Sequence, residues 1–127
     1  MYIHTLGASI STPGGSLPVT QKQYQGAAIS ELQEDIPIGV DTPLAFTLDV
    51  SAVKSFVAMS TVDVTVETND GTTPGSTLAL KAGVPYVWNS DSYDTFKLTV
   101  DVTSLFVTNG GAAAGILYIR ALTDPTP

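Results

Sequence analysis

The sequence predicts an all-β domain, an antiparallel β-sandwich or jelly roll with a flexible N-terminal arm. Three observations lead there. Apolar residues recur with a period of two, most cleanly at Val62, Val64 and Val66 against Asp63, Thr65 and Glu67. Clusters of Gly, Pro, Asn and Asp break the chain at intervals of roughly 8 to 12 residues, the spacing of short strands in a sandwich. Helix has almost no claim: Glu31 to Asp35 is the only stretch with helix-compatible composition, and Pro37 limits it to one turn. A chain of 127 residues, 43% of them hydrophobic, suits one domain with a core that needs no staples.

Taken in order, residues 7 to 20 (GASISTPGGSLPVT) lack apolar periodicity and read as an extended arm or loop. Two states fit them, a disordered leader or an arm that orders against a neighbouring subunit. The domain boundaries are therefore 1–20 for the arm and 21–127 for the sandwich. Ala27 to Leu32 and Ile36 to Val40 are weak strand candidates. Leu44, Phe46, Leu48 and Val50 alternate with polar or small residues and predict a half-buried strand. The Val62–Glu67 strand ends at Asn69-Asp70-Gly71, residues that tolerate the positive φ of tight turns.

Leu78 and Leu80 share a face of the next strand. Val84 to Trp88 follows, and Pro85 places it at an edge or a bulge. Leu98, Val100 and Val102 alternate again. Leu105 to Val107 closes at Asn109-Gly110-Gly111. Gly115 to Leu122 is apolar on both faces, as a central or externally covered strand would be. Thr123 to Pro127 reads as a tail. An internal echo, Asp49-Val50-Ser51 against Asp101-Val102-Thr103, predicts two equivalent corners at which a strand crosses between sheets, each capped by its own side chains.

Composition narrows function. Twelve acidic against five scattered basic residues give a net charge of -7 and a pI of about 4.2. That surface repels phosphate backbones and anionic lipid, so neither nucleic acid nor membrane is an expected partner. The N-terminus shows neither a basic n-region nor a long apolar h-region, so no secretory signal is expected, and an initiating Met1 favours a protein made and used without export. Cysteine is absent, which removes thiol chemistry and disulfides.

His4, the single histidine, lies near the terminus with no acid beside it in sequence, a poor base for a catalytic triad. Zinc would need several His or Cys ligands, and the glycine pairs precede no helix that could hold phosphate. Asp63 and Glu67 sit about 13 Å apart along one strand face, too regular a solvent pattern for an acid/base pair. The chain is thus expected to be no enzyme and to carry no cofactor.

A possible interaction surface remains at Tyr86, Trp88, Tyr93 and Asp91. Tyr86 and Trp88 fall on one strand face, with the polar loop Asn89 to Asp94 beside them. Exposed, this face would stack sugars or anchor a protein; alternatively Trp88 is the core tryptophan of the sandwich. Asp91 and Asp94 could share a calcium ion with loop carbonyls, or serve only as turn formers.

The segments LKAGVPYVWNSDSY (80–93), DVTSLFVTNGG (101–111) and the closing ILYIRALTDPTP together resemble the small β-sandwich virion proteins of tailed bacteriophages, of the head-decoration, cement or fibre-base type. The likeness covers the C-terminal half and transfers no functional residue. It implies a non-enzymatic homo-oligomer in the virion, assembled in the host cytoplasm. Its partners would be the major capsid protein or other virion proteins. The alternative is a carbohydrate- or ligand-binding β-sandwich module.

Overall fold

Alternation sorts the side chains of nearly every strand between core and solvent, and pairing then assembles the strands into two sheets. The architecture comes from a computed structural model that describes residues 2–8, 11–12, 15–16 and 20–124. Eight strands make the body: β5 (Ala28–Ile36), β6 (Gly39–Leu44), β7 (Val53–Ser60), β8 (Val64–Thr68), β9 (Thr77–Leu80), β10 (Tyr86–Asn89), β11 (Leu105–Asn109) and β12 (Gly115–Thr123). One sheet has the order β10-β7-β12-β5 and the other β6-β11-β8-β9, both antiparallel. Only β8 and β9 are consecutive strands of one sheet; every other connection within the body crosses between sheets. That strand order is a jelly roll.

Between the sheets lie Leu32, Ile36, Phe56, Val66, Leu78, Leu105, Val107, Leu117 and Ile119, all at most 9% exposed. Val64, on the cleanest alternating strand, is 4% exposed. The edge position expected for the Pro85 segment is observed, with β10 at the rim of its sheet. β12 is central, as its two apolar faces predict. Asn69 has the positive φ, 70°, that its turn requires.

Three expectations are corrected. Glu31 to Asp35 is not a helical turn but part of the nine-residue strand β5, paired along its length with β12. Long-range pairing overrides local propensity there, and β5 is an edge strand whose acidic residues reach water. Leu44–Val50 and Leu98–Val102 do not form ladders. They meet through one bridge, Leu48 with Val102, although Phe46, Leu48, Leu98 and Val102 are buried as their alternation predicted. Beyond Leu44, which ends the β6 ladder, these segments cross from sheet to sheet and pair with each other at that one bridge, their other backbone bonds going to side chains such as Asp101 and Ser76.

The echoed corners also lie side by side, but are capped differently. Asp49 Oδ1 accepts from the Ser51 N–H at 3.1 Å within its own corner, capping a short 3-10 turn (Val50–Ala52). Asp101 instead reaches across, accepting from the Val50 N–H at 3.0 Å, while Asn69 Oδ1 accepts from the Thr103 N–H at 2.7 Å.

The N-terminal region holds β1 (Tyr2–Ala8), β2 (Ser11–Thr12), β3 (Gly15–Ser16) and β4 (Thr20–Gly26). β1 pairs with β4 and β2 with β3. The arm expected over residues 1–20 is, where described, half of an antiparallel hairpin. Its partner strand runs past that boundary to Gly26 and leads directly into β5. Residues 1, 9, 10, 13, 14 and 17–19 of the arm, and 125–127 of the expected tail, lie outside the described residues.

The hairpin has two sides. His4 and Tyr24 are register partners facing the body, whereas Ile3, Thr5, Gln23 and Gln25 are exposed. It docks on the outer face of the β10-β7-β12-β5 sheet, over the row Asn89, Ser55, Leu122, Ile29. Gly26 fits so closely that a Cβ there would stand 2.5 Å from the Thr123 carbonyl oxygen. Leu122 and Ser55, which point away from the core, are 0% exposed for this reason.

Candidate functional site

The sequence-predicted residues Tyr86, Trp88, Asp91 and Tyr93 do come together, lining a groove of about 500 Å³ with Tyr24, Asn89, Ser92, Asp94 and Lys97. β10 supplies Tyr86 and Trp88 from its inward face, and both pack partly against the core. Trp88 stacks on Phe96 with centroids 4.6 Å apart, and Phe96 in turn meets Phe56 at 5.0 Å. Its indole N–H donates to the Asp94 carbonyl at 2.9 Å. The core reading of Trp88 is therefore correct for one side of the ring, and the groove takes another. Tyr93 is wholly outside the core, at 107% relative exposure.

The loop carrying Asp91 and Tyr93 is held by its own polar groups. Asp91 N–H donates to Asn89 Oδ1, Asn89 N–H to Ser92 Oγ, and Ser92 N–H to the Asn89 carbonyl, each at 2.9 Å. The Tyr24 hydroxyl joins it from the hairpin, 2.9 Å from Asn89 Oδ1 and 3.1 Å from Asp91 Oδ2. Lys97 Nζ lies 5.5 Å from the Tyr86 ring centroid, and the Lys97 N–H donates to the Tyr86 hydroxyl oxygen. Burial pushes the Tyr86 phenol above its ordinary value of 10.0; the Lys97 N–H opposes the shift and Asp94 adds to it. At neutral pH the hydroxyl therefore keeps its proton.

Asp91 and Asp94 both border the groove, but among the described residues no group of three or more His, Asp or Glu converges as a metal site. Asp63 takes a structural bond, accepting from the Ala82 N–H at 2.7 Å.

His4 forms a pairing that its terminal position hid, with Nδ1 2.9 Å from Ser55 Oγ. These are the atoms of a nucleophile–base pair, yet the geometry serves docking. Ser55 is 0% exposed, so no substrate carbonyl reaches its oxygen, and His4 Nε2 is buried without a hydrogen-bond partner.

Sequence reasoning missed Tyr24, assigned to no site, and Lys97; the hairpin register and the turn after Asp94 bring them in. It also passed over the outer face beyond the hairpin. There Val57, Met59, Val87, Ile116 and Tyr118 stand on adjacent strands, all partly exposed, with Val87 at 45%. No family model, curated protein or solved structure matches the chain.

Proposed function

We propose that this chain is a non-enzymatic structural protein of a virus particle, a decoration or cement protein that binds and stabilises a capsid shell as a homo-oligomer. The jelly roll is shared by viral shell proteins and lectins, so the choice between readings falls on the surface. The observation that carries this one is the outer face of the β10-β7-β12-β5 sheet. Exposed Val87 and half-buried Val57, Met59, Ile116 and Tyr118 lie together there on three neighbouring strands, around Arg120 and next to a docked hairpin. Contiguous exposed apolar area of this kind marks protein contact surfaces. The only histidine is spent on the hairpin contact, which supports a role without acid/base chemistry.

Light scattering tests the assembly half. The chain should run as a discrete oligomer, and Met59→Lys with Tyr118→Lys should give a folded monomer. Co-sedimentation with shells of the major capsid protein encoded in the same genome tests the rest. A monomeric wild type that stays in the supernatant would overturn the proposal.

A further inference from the structure

The geometry points to a second binding function: the groove beside β10 takes an uncharged, polyhydroxylated ligand, a pyranose unit of a neutral glycan. This goes beyond the assembly role: Trp88 and Tyr86 face inward from β10, and the groove meets the outer apolar patch at Val87, which borders both.

Tyr93 is the first reason. A large ring at 107% exposure on a loop closed by three internal hydrogen bonds is presented to solvent without contributing to the core. Such a ring offers apolar area at little ordering cost. Trp88 is the second. Its plane is fixed by Phe96 and by the bond from its indole N–H to Asp94 O, so the part that borders the groove is preorganised for stacking.

The third reason is the polar complement. Carboxylates at Asp91 and Asp94 accept hydrogen bonds, Lys97 donates them, and Ser92 and Thr95 bring hydroxyls that do both. A sugar hydroxyl, itself both donor and acceptor, matches that mixture.

Charge separates the alternatives. Two carboxylates on a chain of net charge -7 repel an acidic glycan. A quaternary ammonium would suit an aromatic cage, but Lys97 already lies over Tyr86 in the same groove and repels it. A volume of about 500 Å³ lies within the range of small-ligand clefts.

The experiment titrates the full chain with cellopentaose, chitopentaose and maltopentaose, with choline and a galacturonate trimer as charged comparators. Calorimetry and the shielding of Trp88 emission from iodide provide the readouts. At least one neutral pentasaccharide should bind one per chain and protect Trp88. Tyr93→Ala should weaken that binding on the order of tenfold while leaving thermal unfolding unchanged, and Tyr93→Phe should retain most of the affinity. The inference is overturned if none of the three neutral sugars binds, if Tyr93→Ala binds like wild type, or if a charged comparator is preferred. Because the readouts do not depend on oligomeric state, the result stands apart from the fate of the capsid proposal.

Discussion

The side chain of Asn109 spans the turn between β11 and β12, fully buried. Its Nδ2 donates to the Ala113 carbonyl at 2.9 Å and lies 3.4 Å from the Ile36 carbonyl, while Oδ1 accepts from the Gly111 N–H at 3.1 Å. Removing the amide takes away two turn hydrogen bonds and the contact to the carbonyl of buried Ile36, and leaves a cavity where the side chain was. Asn109→Ala should therefore cost about 2 kcal/mol, read as a lower urea midpoint with unchanged slope. A loss below about 0.5 kcal/mol, the scale of a surface substitution, would mean water replaces the amide. In sequence, Asn109-Gly110-Gly111 was legible as a turn because Asn and Gly tolerate its backbone angles. The amide's burial was not, since one of its contacts comes from a residue 73 positions away.

At the scale of elements, facing was more legible than pairing. Phe46, Leu48, Leu98 and Val102 were placed inward correctly by alternation, whereas Val100 of the same series is 42% exposed. Whether such a segment finds a ladder depends on what runs beside it, and these two find a single bridge. The hairpin was illegible for the opposite reason: its pairing is carried by backbone, while β4 (TQKQYQG) has Tyr24 as its one large apolar side chain and so no apolar rhythm.

What fastens the hairpin also makes it pH-sensitive. Burial first, then Arg120, lower the pKa of His4 from its ordinary 6.5, with Glu31 opposing. Protonation would set a cation beside Arg120, with a buried Nε2–H facing no acceptor. A base with a depressed docked-state pKa stabilises docking fully above pH 6.5, and docking weakens as the pH falls below that value toward the docked pKa. Hydrogen exchange of the β1 and β4 amides should therefore accelerate between neutral and mildly acidic pH, with the β8 and β11 amides unaffected. His4→Gln should abolish the difference; an equal acceleration in that variant would trace it to another group.

For the molecule as a whole, strand count and turn spacing made a sandwich legible, and the groove was legible because Tyr86, Trp88, Asp91 and Tyr93 lie within one strand and its loop. The echo of Asp49-Val50-Ser51 in Asp101-Val102-Thr103 marked two of the sheet crossings, but the strand order itself was not legible, since it depends on pairing between segments distant in sequence. A cut at residue 20 would divide β4 from its partner β1. Deleting residues 1–20 would strand β4 as an unpaired edge over Leu122, whereas deleting 1–26 removes the hairpin whole. Among the described residues the central core cluster includes neither Tyr24 nor Leu122, so the shorter domain keeps its core and loses the cover over Leu122 and Ser55 and the Tyr24 bonds to Asn89 and Asp91. We expect the 27–127 chain to unfold cooperatively with stability reduced by roughly 2 to 3 kcal/mol, the worth of one large apolar side chain returned to water. The 21–127 chain should be the more prone to aggregate, through the open edge of β4. Urea denaturation and light scattering of the two truncations decide this: a 27–127 chain without a cooperative transition would show that the hairpin is part of the folding unit.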